Sequence, residues 1–133
     1  MNVSEFLSVQ TNEAKDIFET VDMLIRKYDK TVIAEVGSIM SVEEALVYKQ
    51  ENVFKYGLTL TKHHFSYHSM VMYAYPKVLE DFKKTSKSIK FQKGCFNFKT
   101  LEQLNLSSFE VFLKNSAQQD FTSVIKHYQN KKK

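Results

Sequence analysis

Between Leu46 and Lys99 the large apolar residues fall repeatedly on alternate positions, a period that commits this part of the chain to extended strands. Leu46 and Tyr48 share a face of one segment. After a turn at Glu51-Asn52, Phe54, Tyr56, Leu58 and Leu60 alternate with Lys55, Gly57, Thr59 and Thr61, which predicts a hairpin. Past Lys62-His63, the run Phe65–Tyr75 places Phe65, Tyr67, Val71, Tyr73 and Tyr75 on one face. Its other face is polar at His64, Ser66 and His68 and apolar at Met70 and Met72, so a central strand covered on both sides in its second half is expected. In the last aromatic run the phase changes: Ile89 and Phe91 stand at odd positions, Phe96 and Phe98 at even ones. Gly94 lies between them, and the missing Cβ predicts a kink or bulge there.

The remaining segments read as helices that cover such a sheet. Asn2–Gln10 holds a short helical turn starting at Ser4. Ala14, Ile17, Phe18, Val21, Leu24, Ile25 and Tyr28 recur at three- and four-residue steps, with Thr11 or Asn12 as the cap. Val32, Ile33, Val36, Ile39 and Met40 have helical spacing but include β-branched residues, so helix and strand both stay open. Pro76 suits the first position of a short helix through Val78, Leu79 and Phe82. Ser107 and Glu110 have the spacing of a capping box for a long terminal helix, broken near Asn115.

A chain of 133 residues with eleven phenylalanines, seven tyrosines and three glycines can bury a core without a disulfide or structural metal. Its single cysteine fits a reducing compartment. The first residues lack the basic start and apolar run of a secretory signal, and no segment approaches the roughly 20 apolar residues of a membrane span, so a cytoplasmic location without a membrane partner is expected. One domain over 1–130 followed by a disordered lysine tail, 131–133, is the expected organisation. Charge is divided unevenly: residues 1–60 carry 6 basic and 10 acidic side chains, residues 61–133 carry 13 and 5. Seven lysines between Lys77 and Lys99 are interleaved with Phe82, Phe91, Phe96 and Phe98, yet no arginine fork or recognition motif accompanies them, and no nucleic-acid partner is expected.

Few constellations carry chemistry. There is no phosphate-cradling glycine loop, HExxH, CxxC or nucleophile elbow. His64 and His68 cannot share a zinc ion in a regular strand, where four residues span about 13 Å against about 4 Å between two zinc-bound nitrogens. Cys95 beside Lys93 is either a reactive thiol or a small buried hydrophobe. Glu13, Asp16, Glu19 and Asp22 stand three apart on the first long helix, and each step turns the helix by about 300°. The carboxylates therefore wind across its polar face as a ridge, which either collects a hard cation or is a solvated face with Lys15–Glu19 and Asp22–Arg26 pairs.

The segments Tyr48-Lys49-Gln50, Val53–Gly57, Lys62–Ser69, Lys90–Lys99 and Leu101–Leu106 resemble the YdhG-like family of small bacterial domains of unknown function, some of whose members are described as frataxin-like iron chaperones. The likeness covers residues 46–113. It implies an antiparallel sheet with helices packed on it, and it draws attention to the acidic ridge as an iron site by analogy. The resulting expectation is an α+β fold: an antiparallel sheet of about four strands with N- and C-terminal helices packed on it. In function we expect a non-enzymatic binding domain for iron or a small ligand, using Glu13, Asp16, Glu19 and Asp22 for a metal or a pocket lined by Lys55, His68, Tyr73 and Lys93. The alternative is a protein-interaction module without a small ligand.

Overall fold

The computed structural model describes residues 1–131; Lys131 closes the last helix, and the rest of the expected lysine tail, 132–133, lies outside the described residues. The fold is α+β. Its antiparallel sheet has six strands rather than about four, in the order β1-β2-β3-β4-β6-β5: β1 (Ile33–Ile39), β2 (Val42–Gln50), β3 (Val53–Leu60), β4 (Phe65–Ser69), β5 (Lys90–Phe91) and β6 (Cys95–Phe98). Around it run α1 (Val3–Ser8), α2 (Asn12–Tyr28), α3 (Met70–Ala74), α4 (Pro76–Lys83), α5 (Leu101–Leu104), α6 (Leu106–Gln118) and α7 (Thr122–Lys131). Among the described residues, no helix is long and apolar enough to cross a membrane.

Local chemistry accounts for most boundaries. Thr11 caps α2 by accepting from the Ala14 N–H, and Asn2 with Glu5 forms a reciprocal capping box on α1. Pro76 opens α4. Glu51 and Asn52 both take positive φ, 50° and 65°, so the β2–β3 hairpin closes on a tight two-residue turn whose twist matches its strands. The ambiguous 32–40 segment is a strand, β1, paired along β2.

Four expectations are corrected. The run Phe65–Tyr75 is not one strand: the Ser69 hydroxyl accepts from the Met72 N–H at 3.0 Å, ends β4 and starts α3. The phase change at Gly94 marks a chain reversal instead of a kink, for Phe91 pairs with Phe96 across a hairpin in which the Gln92 N–H donates to the Cys95 carbonyl at 2.8 Å. Ser107 does not cap. Asn105, in the left-handed region at φ 57°, precedes α6, and the Glu110 carboxylate accepts instead from the Tyr28 hydroxyl at 2.8 Å. The terminal helix breaks after Gln118, with Phe121 buried in the gap, and not near Asn115.

The core lies on one face of the sheet. Leu46, Tyr48, Tyr56, Leu58, Phe65, Tyr67, Phe96 and Phe98 project there, against Phe18, Val21 and Ile25 of α2, Leu79 and Phe82 of α4 and Phe109 and Phe112 of α6. Aromatic rings meet edge to face across this layer, as at Phe18–Phe65 (5.2 Å) and Tyr67–Phe109 (5.4 Å), arrangements that the ring quadrupole favours over a face-on sandwich. A smaller cluster of Ile39, Ala45 and Val47 sits on the opposite face with Val42 and Phe54.

Phe54 reaches that second face through a bulge that the regular alternation of β3 conceals. Tyr48 pairs with Tyr56, but Lys49 pairs with Phe54, so Lys55 is an extra residue without a partner on β2. The side chains of Lys55 and Tyr56 therefore both turn toward the helices, and Phe54 is rotated to the outside. Gly57 makes room for it: a Cβ there would lie 2.3 Å from Ile39 Cδ1 and 2.9 Å from the Phe54 ring.

Two buried hydroxyls are unsatisfied among the described residues, those of Tyr67 and Ser86. The Tyr67 hydroxyl is buried without a hydrogen-bond partner, and burial with the Asp29 charge pushes its pKa far up. An orphaned buried hydroxyl costs about 1–3 kcal/mol. Tyr67→Phe is therefore expected to raise unfolding stability by about 1 kcal/mol in urea titrations; a loss of that size would show that the hydroxyl is bonded.

Candidate functional site

The bulge at Lys55 delivers an ammonium group to the C-terminal end of α2, where free carbonyls favour a cation. Asp29 follows that helix and meets it: Lys55 Nζ lies 2.7 Å from Asp29 Oδ2. The Tyr56 hydroxyl donates to the same oxygen at 2.8 Å, while the Thr31 N–H and hydroxyl hold Oδ1. Lys55 also donates to Gln50 Oε1 at 2.7 Å and to Thr31 Oγ1 at 3.3 Å, so its three protons have three acceptors. Its ammonium stands 5.0 Å from the Phe121 ring centroid and 5.5 Å from that of Tyr56. At 2% exposure Lys55 is closed to any ligand.

Lys55 is thus a structural cation and not part of a pocket with the other residues named from sequence. Burial alone pushes the Asp29 carboxyl up, but the Lys55 ammonium, the Thr31 hydroxyl and N–H and the Tyr56 hydroxyl together hold it below its ordinary value of 3.8. Tyr56 moves far up through burial and the neighbouring Tyr67 and Asp29.

His68 is on the opposite face, paired across the sheet with Cys95, with Nε2 3.5 Å from Thr59 Oγ1. Burial lowers its pKa, favouring the neutral imidazole, and raises that of the Cys95 thiol, which donates to Gln92 Oε1 at 3.3 Å. The four carboxylates of α2 do not converge. Asp22 is held by the Tyr48 hydroxyl (2.6 Å) and the Arg26 Nε (3.0 Å), and Glu19 faces Lys15 at 3.8 Å. Among the described residues no three His, Cys, Asp or Glu side chains gather to hold a metal ion.

Tyr73 and Lys93 do come together. They line a surface groove of about 610 Å³ between α3, α4 and the β5–β6 hairpin. Its floor is apolar, built from Met72, Leu79 and Phe91, and its rim carries Glu80, Lys83, Gln92 and Lys93. Tyr73 is 58% exposed, and its ring lies beside the hairpin turn, 3.7 Å from where a Gly94 Cβ would stand. Lys83 lies 5.8 Å from the Phe91 centroid and is balanced by Glu80 at 3.7 Å. Lys93 has no ion pair among the described residues.

Sequence reasoning found the two rim residues without the floor. Phe91 and Leu79 line one groove because residues 92–94 reverse the chain, where the phase change predicts only a kink or bulge. The adjacent phase change from Phe91 to Phe96 was the available signal. Compared with protein-family models, with curated proteins and with solved structures, the chain matches none.

The buried pair has a direct test. Asp29→Asn leaves the Lys55 charge uncompensated and is expected to cost about 3–5 kcal/mol at neutral pH, most of it regained in Asp29→Asn/Lys55→Met. Because the folded-state pKa of Asp29 is depressed, its contribution is present above the unfolded value and lost as pH falls through the folded one. The single variant should therefore show a shallower loss of stability in acid, measured by urea unfolding from neutral pH down to about pH 3.

Proposed function

We propose that the protein is a non-enzymatic binding domain that takes a small amphipathic ligand, an apolar ring bearing a carboxylate, in the groove between Tyr73 and Lys93. The supporting observation is the pairing of an apolar floor, Met72, Leu79 and Phe91, with a rim lysine that has no acidic partner among the described residues. Ligand sites commonly combine mostly apolar walls with a few placed polar groups, in volumes of about 300–1,000 Å³. In this reading Phe91 and the Tyr73 ring cover the ligand's ring, Lys93 meets its carboxylate and the Gln92 amide contributes a donor. The groups that burial pushes furthest from their ordinary protonation range, Tyr48, Tyr56 and Tyr67, belong to the core and not to the groove, which favours binding over acid–base chemistry. The dispersed carboxylates of α2 favour an organic ligand over iron.

The alternative, a protein-interaction module, has one observation in its favour. β1 is a free edge strand whose Ile33 is 76% exposed, and Met40 in the following turn is 90% exposed.

Titration with 2-naphthoate, followed by amide chemical shifts, separates the two readings. Saturable shifts centred on residues 72–80 and 91–94 are expected, weakened by about tenfold in Lys93→Gln, which removes one charged hydrogen bond. Shifts that never saturate, or that Lys93→Gln leaves unchanged, would overturn the ligand reading.

A further inference from the structure

A second groove, of about 470 Å³, lies across the β5–β6 hairpin from the first, and its chemistry is different. Its lining includes His63, His64, Lys90 and Lys99 and contains no carboxylate. Seven lysines outside the groove, Lys15, Lys27, Lys49, Lys55, Lys77, Lys83 and Lys84, each lie within 4.0 Å of an aspartate or glutamate oxygen. The side chains of His63, His64, Lys90 and Lys99 make no ion pair or hydrogen bond among the described residues. Like charges brought together without compensation repel, and an anion placed among them relieves that repulsion.

The surrounding backbone holds these groups in place. Gln103 acts as a strap: its Oε1 accepts from the Lys99 N–H at 2.7 Å and its Nε2 donates to the Ser88 carbonyl at 3.0 Å, tying the segment before Lys90 to the end of β6. Lys90 and Asn97 are cross-strand partners. On the opposite wall, the turn bearing both histidines is closed by the Thr61 N–H to the His64 carbonyl at 3.0 Å, with the Thr61 hydroxyl donating to the same oxygen at 3.2 Å. At the base, the Ser66 hydroxyl donates to Asn97 Oδ1 at 2.6 Å, which fixes the amide and leaves its NH₂ as a donor to the groove.

We propose that this groove is a binding site for a small polyphosphate, the diphosphate group of an organic ligand or inorganic pyrophosphate. Lysine ammoniums and amide donors suit tetrahedral phosphate oxygens, and basic side chains on three walls surround more negative charge than one carboxylate carries. The site is separate from the Tyr73–Lys93 groove and does not depend on that reading. A nucleic-acid backbone, by contrast, would extend along the neighbouring lysines outside the groove, Lys83, Lys84 and Lys87.

Calorimetric titration of the full chain with pyrophosphate, and with sulfate at matched ionic strength, tests the assignment. Saturable one-to-one binding of pyrophosphate is expected, at least about tenfold tighter than sulfate and weakened by about tenfold or more in Lys90→Gln/Lys99→Gln. Lys83→Gln/Lys84→Gln, outside the groove, should leave it unchanged within about twofold. Asn97→Asp, which removes the donor and adds a carboxylate, should abolish it; the two surface double variants decide the matter if that protein does not fold. Pyrophosphate no tighter than sulfate, or equal weakening by both lysine pairs, would overturn the site. A single-stranded oligonucleotide that binds more tightly than pyrophosphate and loses affinity in Lys83→Gln/Lys84→Gln would overturn it in favour of a nucleic-acid surface.

Discussion

Lys55 carries its charge beneath the sheet, and it does so only because the chain supplies a partner for every proton: the carboxylate of Asp29, the amide of Gln50 and the hydroxyl of Thr31. Those groups come from the end of α2, the lead into β1 and the end of β2, so one ammonium ties together the parts of the chain that must meet for the sheet to be covered. Phe121 closes the site from the break between α6 and α7. A lone charge in that position would cost several kcal/mol. The register of β3 follows from the same arrangement, because the bulge that turns Lys55 inward also turns Phe54 outward onto Ala45, Val47 and Ile39.

With the helices on one side of the sheet, its far edge is left to a hairpin only two to four residues deep, β5 with β6. Both grooves flank that hairpin. On one side, α3 and α4 bring an apolar floor next to Lys93; on the other, the His63–His64 turn and Gln103 frame Lys90 and Lys99. The lysine-rich, phenylalanine-rich segment from 77 to 99 therefore does two jobs at adjacent positions. Phe82, Phe96 and Phe98 are core, and Phe91 is the floor of a groove whose rim holds the charges.

The elements visible in the sequence were those whose determinants are local. The apolar stripe of α2, its Thr11 cap, the Pro76 start of α4 and the Glu51-Asn52 turn depend on residues a few positions apart, and each lies where its pattern put it. What the sequence hid depends on competition between distant groups. Alternation in β3 looked unbroken because Phe54 and Tyr56, on opposite faces, are equally apolar. Ser107 and Glu110 had capping-box spacing, but Glu110 is engaged by Tyr28, 82 positions away. Of the site residues, Tyr73 and Lys93 share a groove because both are solvent-facing near one hairpin; Lys55, a lysine inside a strand, is drawn inward by an aspartate that no local pattern pairs with it.

The most direct test of this account is a nitrogen-detected NMR observation of the Lys55 side chain at neutral pH. A charged, inward-facing Lys55 predicts an ammonium resonance in slow exchange with water, with proton contacts to the Phe121 and Tyr56 rings. A rapidly exchanging ammonium without those contacts, together with Phe54 ring contacts to Tyr56 and Leu58 on the helix side, would mean that the strand has no bulge and that the charge lies in water.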